Sequence, residues 1–377
     1  MLNFIIWDVA PEIFTIPQFS IFGYTIGPLA PVWYGLLFAT GFLVGQQIII
    51  KIYKIEGKSE KQVETLTIYM ILATVIGARL GHCIFYEPKD FFWEPSKLVK
   101  ILYIWHGGLA SHGAAIAILF TIWLYCRKYP TEKYLYVLDR MAIIVALSAC
   151  FIRFGNLMNS EIVGTPTDAS QGFIFAHSTT SFLKENEDFK QIKEVKVIQN
   201  GKDTIFEGIY LRGIDIKMKI KSIGNGDFQE MAAYKICPLI NRFNSDSLGF
   251  HSERTNIIVL NTPNLISVGA EDRKGTEVII RAWGVPRHPS QLYESISSLV
   301  LFFILIFVYS RKKADTPEGL LFGIFMVWIF TLRFFYEFIK ENQVAFENEM
   351  FLNMGQRLSI PMVIIGLIVL VRSLRKK

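Results

Sequence analysis

The sequence predicts an all-α polytopic membrane protein: seven transmembrane helices, N-terminus out and C-terminus in, with a small β-rich extracytoplasmic head inserted between helices 4 and 5. Three observations predict it. Of 377 residues, 51% are hydrophobic and 19% charged, where a soluble domain carries about 25% charge. Apolar runs long enough to cross a hydrocarbon core of roughly 30 Å recur along the chain. Between those runs, basic clusters alternate with acidic loops.

The spans read as 29–52, 64–86, 107–126, 137–158, 289–309, 318–339 and 352–372. Span one is followed by Lys51, Lys54, Lys58 and Lys61, and span three by Arg127, Lys128 and Lys133. Span five leads to Arg311, Lys312 and Lys313, and span seven ends in Arg372, Arg375, Lys376 and Lys377. The loops after spans two and six carry Glu87, Asp90 and Glu94, and Glu341, Glu347 and Glu349. Basic loops stay cytoplasmic, so the alternation predicts the orientation. It also assigns the net charge of +6 to topology rather than to nucleic acid. The N-terminal "MLNFIIWDVAPEIFTIP" lacks the basic region of a cleaved signal peptide.

The head, 165–287, separates two membrane parts, 1–164 and 288–377. Its runs "VKVIQ", "IDIKMKI" and "EVIIRAW" alternate apolar and polar residues between Asn-Gly and Gly-Lys turns, the pattern of half-buried strands. His177 and His251 within it show no ligand spacing and read as surface or packing residues. Cys83, Cys126, Cys150 and Cys237 are scattered without a CxxC, which argues against a disulfide framework and a zinc site. No internal repeat is evident, nor the paired interrupted spans of many transporters.

Polar groups mark four spans. The stretch "WHGGLASHGAAIAILF", 105–120, puts His106, Ser111 and His112 at the mouth of span three. Span four ends in "RFGNLMNSEIVG", where Arg153 and Asn156 share a helix face and Glu161 and Gly164 follow. Span five opens with "RHPSQLYES", with Gln291 and Glu294 three apart. Span six carries "LRFFYEFIKEN", with Arg333 and Glu337 one turn apart. Singly, these read equally well as a snorkelling arginine, a helix cap and an intrahelical ion pair. Together they bring two arginines, whose forks suit phosphate, and a histidine, the usual proton acceptor near neutral pH, toward the outer half of the membrane. That is the chemistry of an outer-leaflet phospholipid site with a general base. Spacing alone leaves an ion pathway open.

The motifs "GGLASHGA", "RFGNLMNSEIVG", "RHPSQLYE" and "MGQRLSIPM", with "WYGLLFATGF" on span one, resemble the bacterial phosphatidylglycerol–prolipoprotein diacylglyceryl transferases. The resemblance implies transfer of the diacylglyceryl group of phosphatidylglycerol to the lipobox cysteine of a prolipoprotein signal peptide, forming a thioether and releasing glycerol phosphate. It implies no metal or organic cofactor, no nucleic acid, membrane lipids as surroundings, and a place in the bacterial cytoplasmic (inner) membrane with the active site toward the extracytoplasmic leaflet. Carried over by position, His112 matches the family's essential histidine, while His106 falls in a more variable place. Arg153, Asn156, Glu161 and Gly164 match the span-four motif, Arg333 and Glu337 the span-six pair, and Tyr34 the tyrosine of span one. The expected catalytic residues are thus His112, Arg153 and Arg333. The expected substrate-binding residues are Tyr34, Asn156, Glu161, Gly164, Gln291, Glu294 and Glu337.

Two departures stand out. Ile329 occupies a position where family members can carry a functional tyrosine, and the 165–287 head is longer than expected. In the implied mechanism His112 takes the thiol proton, the arginines hold the departing phosphate, Glu337 orients Arg333, and Asn156 and Gln291 bond the headgroup or esters. The rival readings are a transporter or proton-coupled carrier, against which the nearly uncharged inner halves of the spans argue, and a non-catalytic lipid-binding or assembly protein.

Overall fold

The computed structural model describes residues 4–21, 24–88, 101–102, 108, 110–206, 208–221, 227–245, 256–260, 263–273, 275–341 and 350–375. Asp90, Glu94, His106, His251, Glu347, Glu349, Lys376 and Lys377 lie outside the described residues.

The principal helices, in chain order, are α1 (Trp33–Ile55), α2 (Glu60–Phe85), α3 (Ser111–Lys128), α4 (Tyr134–Met158), α5 (His177–Glu185), α6 (Cys237–Ser245), α7 (Ser290–Lys312), α8 (Leu320–Tyr336) and α9 (Met354–Arg375). Among the described residues, six of them, α1, α2, α4, α7, α8 and α9, are long and apolar enough to cross a membrane. The chain is therefore a multi-pass helical membrane protein with a β-sheet region. The expected third span is helical from Ser111 and is not among the six. Ser111 and His112 at one end and Arg127 and Lys128 at the other dilute its 18 residues.

The chain divides into two compact units: residues 1–39, 150–297 and 331–360, and residues 40–149, 298–330 and 361–377. This division cuts α1, α4, α7, α8 and α9, whereas composition suggested breaks at 164 and 287.

In the first unit, strands β5 (Ile192–Gln199), β7 (Ile209–Ile220), β10 (Gly275–Gly284) and β8 (Ile257–Val259) lie side by side in that order. β6 (Thr204–Phe206) is added to β7, β9 (Ile266–Asp272) to β10, and every pair in this sheet is antiparallel. The three alternating runs fall in β5, β7 and β10, as their period requires. On β7 the inward set Ile214, Ile216, Met218 and Ile220 is buried against Val278, Ile280 and Ala282 and against Leu183, Ile236 and Ile240 of the helical layer. The N-terminal strand β1 (Ile5–Trp7) pairs in parallel with β4 (Phe173–Phe175), Phe4 enters the same core, and β2 (Phe19–Ile21) and β3 (Tyr24–Ile26) form a separate antiparallel ribbon. The Trp7 indole donates to the Leu157 carbonyl at 3.0 Å. His177 does more than cover surface: its ring and the Thr180 hydroxyl meet the Asp8 carboxylate at 3.3 and 2.7 Å.

The second unit is a helical core around Tyr53, Ile122, Tyr125, Ile143, Leu301, Leu305 and Leu321. α2 opens with a capping box. Gln62 N–H donates to the Ser59 hydroxyl and Ser59 N–H to the Gln62 side chain, which satisfies two otherwise orphaned donors. α2 and α3 meet through glycines: a Cβ at Gly81 would lie 2.7 Å from the Gly113 Cα, and one at Gly113 would strike the Gly77 carbonyl. Such backbone contact is the usual small-residue solution where lipid offers no hydrophobic drive. This unit also corrects the expectation of uncharged inner halves. Fully buried Arg140 holds Glu56 at 2.6 Å and stacks on Tyr136 at 3.9 Å. Buried Asp139 accepts from the N–H groups of Gly319 and Phe322 at 2.7 and 2.8 Å, capping α8. These charges close on one another and on a helix end, not along a file across the membrane.

Candidate active site

α4 carries Arg153 and Asn156 and ends at Met158. Gly155, between them, lets α1 approach closely, since a Cβ there would sit 3.1 Å from the Tyr34 Cα. The Tyr34 hydroxyl interacts electrostatically with Glu161 and Arg153. Past the helix end, Ser160 and Ile162 both take φ of 55°, on either side of Glu161. A β-branched residue there is strained by about 1–3 kcal/mol and persists only where its surroundings impose it.

Those surroundings are visible. The Glu161 carboxylate accepts from the side-chain amides of Asn156 (3.3 Å) and Asn159 (3.1 Å). Its carbonyl accepts from the Gln291 amide, and the Ile162 carbonyl from the Ser290 hydroxyl at 2.8 Å. Gly164 admits no side chain: a Cβ would lie 2.5 Å from the His288 carbonyl oxygen and 2.7 Å from that of Ile339. Its N–H donates to the His288 carbonyl at 3.0 Å, and its own carbonyl accepts from buried Arg287 at 3.2 Å. Arg287 also donates to Asn256 and Glu341. Burial holds the His288 imidazole below the usual histidine pKa, although Asp168 pulls the other way.

Five charges alternate across α4, α7 and the end of α8. Arg153 Nε stands 2.6 Å from Glu294 Oε2. Lys340 Nζ contacts the other Glu294 oxygen and lies 3.6 Å from Glu337 Oε1, which is 3.9 Å from Arg333 Nε. Asn353 donates to the second Glu337 oxygen at 3.1 Å. Three cations against two carboxylates leave one net positive charge. The inner members are 7–14% exposed, while the terminal arginines are the most open, Arg153 at 26% and Arg333 at 42%. Among the described residues, neither arginine uses its Nη groups in a hydrogen bond. The chain of charges therefore ends, on each side, in an open guanidinium fork suited to a phosphate.

The structure thus brings together Tyr34, Arg153, Asn156, Glu161, Gly164, Gln291, Glu294, Arg333 and Glu337 of the residues expected from sequence. Lys340 was missed. Its signal was in "LRFFYEFIKEN", where it lies three residues after Glu337 and seven after Arg333, on the same face. Tyr336 donates to the Tyr293 carbonyl at 3.3 Å, so it is engaged there and does not replace a tyrosine at 329. Ile329 packs in the core of the second unit.

His112 belongs to the second unit, in the first turn of α3. Its half-buried ring meets Phe85 edge-on at 4.9 Å and Tyr86 at 5.7 Å. Tyr86 stacks on His82, whose ring is 3.4 Å from Glu87. Among the described residues no hydrogen bond occupies the His112 nitrogens, and no group of three or more His, Cys, Asp or Glu side chains is arranged to hold a metal ion.

A model of the prolipoprotein diacylglyceryl transferase family matches residues 22–372. The chain is 32% identical over 352 residues to the phosphatidylglycerol–prolipoprotein diacylglyceryl transferase of Tolumonas auensis, covering 93% of this chain and 95% of the relative. Against that of Chloroherpeton thalassium the identity is 30% over 374 residues, covering 99% and 96%. Against that of Bacteroides fragilis it is 32% over 370 residues, covering 96% and 92%.

Proposed function

The chain belongs to the prolipoprotein diacylglyceryl transferase family, and on that premise we propose that it transfers the diacylglyceryl group of phosphatidylglycerol to the lipobox cysteine of prolipoprotein signal peptides. This makes it a transferase of an alkyl group other than methyl, acting at the first step of lipoprotein maturation. The lipobox thiol, with a free pKa near 8.5, is a weak nucleophile until ionised. His112 takes its proton. The thiolate forms a C–S bond at the glycerol carbon that carries the phosphate, and the C–O bond to phosphate breaks with its electron pair leaving on oxygen. Glycerol phosphate departs. Arg153 and Arg333 stabilise the charge that grows on the phosphate, the point where fixed donors lower a barrier most.

The observation that carries this reading is the pair of open guanidinium forks. Glu294, Glu337 and buried Lys340 fix both arginines while leaving their Nη groups for a ligand. Asn156, Glu161, Gly164, Gln291 and Tyr34 shape the lipid headgroup site beside them. Around this chemistry we place seven spans, α3 being the seventh, the N-terminus outside, the C-terminus inside, and the 165–287 head and active site on the extracytoplasmic face of the bacterial inner membrane. The basic clusters and the family support that orientation.

Incubation of the purified protein with phosphatidylglycerol and a lipobox peptide tests the proposal. A peptide mass raised by one diacylglyceryl thioether is expected. Phosphatidylglycerol bound without peptide modification would leave only a lipid-binding protein.

A further inference from the structure

Arg79, on α2, lies outside every motif that carries the resemblance, and it is only 6% exposed. A cation so buried is tolerated when its N–H groups are satisfied. Arg79 Nε donates to the Ile101 carbonyl at 2.9 Å and Nη1 to the Gly108 carbonyl at 3.2 Å. Both acceptors are backbone of the segment that leads into α3. Gly108 takes φ of 71°, and a Cβ there would lie 2.6 Å from the His82 ring and 2.9 Å from Arg79 Nη1, so this backbone presses directly on both side chains.

The start of α3 needs that support. Its N-cap position is Ala110, which has no side-chain oxygen to hold the first turn, and no side-chain cap bond is made. What holds the turn comes from α2. The Ala110 N–H donates to the Ala78 carbonyl, next to Arg79, at 2.9 Å. Two residues later stands His112, its ring flanked by Phe85 and Tyr86 of the same α2 end.

We infer that Arg79 is a positioning residue for His112: its guanidinium ties the backbone ahead of α3, where no side chain caps the helix, and so fixes where the imidazole stands. The catalytic consequence rests on the reading of His112 as general base, whereas the positioning itself does not. The test uses the full chain in detergent, with Arg79→Gln and Arg79→Ala compared with the parent in two assays. One is steady-state transfer from phosphatidylglycerol to a lipobox peptide. The other is the rate of His112 carbethoxylation by diethyl pyrocarbonate, read at its own peptide by mass.

The expected result is a kcat about 10-fold lower with KM for phosphatidylglycerol within about twofold, a partial loss short of the roughly 10²-fold for removing a base outright, and several-fold faster carbethoxylation of His112. Millimolar guanidinium should restore both kcat and ring protection to Arg79→Ala, which a misfolded variant would not permit. Lost transfer with unchanged His112 modification and no guanidinium rescue overturns the inference, as does full activity with unchanged His112 modification in both variants. If His112→Gln keeps normal transfer, the base reading falls, and the modification arm still decides whether Arg79 holds the ring.

Discussion

Arg153 meets Glu294 through Nε, and Arg333 Nε stands 3.9 Å from Glu337, so among the described residues the terminal nitrogens of both remain for a phosphate. A lysine keeps the charge but offers a single point donor. Arg153→Lys and Arg333→Lys should therefore each lower kcat/KM by about 10-fold or more, the scale of one lost charge-assisted hydrogen bond. Near-normal turnover in both would mean that charge alone suffices. His112→Gln should cut transfer by about 10²-fold, the scale of lost general base catalysis. That deficit should narrow as assay pH rises toward the thiol pKa, because hydroxide then supplies the thiolate; a pH-independent deficit would make His112 an orienting group. The arginines stood out in the sequence because Asn156 and Glu337 lie three and four residues away on common helix faces, and His112 because it stands at the glycine-rich mouth of an apolar run. Arg79 was not. Its partners are backbone carbonyls 22 and 29 residues along the chain, and no side-chain spacing encodes a bond to a carbonyl.

The α2–α3 contact turns on three glycines, Gly77, Gly81 and Gly113. An alanine in an open helix gains about 1 kcal/mol over glycine, and Gly35, with only a Val32 methyl 3.8 Å away, has room for it. At Gly113 the added methyl would meet the Gly77 carbonyl and lie 2.6 Å from the Gly81 Cα, so backbone has to part. Thermal unfolding in detergent should show Gly113→Ala destabilised by about 2 kcal/mol or more and Gly35→Ala neutral or stabilised. Equal effects would show that the two helices slide freely. On α6, burial pushes the Cys237 thiol up to about 12, from 9.0. The folded state keeps that proton where the unfolded chain has lost it, so the thiol's contribution is intact below pH 9 and is lost as pH climbs toward 12. At 1.36 kcal/mol per unit the loss reaches about 4 kcal/mol. Denaturant titrations across that range should show Cys237→Ala with a shallower alkaline decline than the parent; parallel curves would refute the assignment. The sheet behind α6 was readable because β5, β7 and β10 alternate with period two. The ends of α3 were not, since a glycine-rich turn and an apolar helix share one hydrophobic run.

At the scale of the chain, composition sufficed for the six long apolar helices, while the division into two units depends on contacts that composition does not contain. Orientation is open to direct measurement. A cysteine at exposed Lys202, in the β5–β6 turn, should react with a membrane-impermeant maleimide in intact spheroplasts, and one at exposed Thr131, between α3 and α4, only after the cytoplasmic face is opened. The reverse pattern would move the arginine site to the other leaflet. One pairing also sets a schedule for biogenesis. Strand Ile5–Trp7 finds its partner only at Phe173–Phe175, after the chain for α1 to α4 has been made. At roughly 5–20 residues per second, that interval is on the order of 10–30 s. Through it Ile5–Trp7 has no strand to join, and Phe4 has no core to enter. This strand must be kept from pairing elsewhere until Phe173–Phe175 is synthesised, so a strand translated ahead of α1 is among the last to fold.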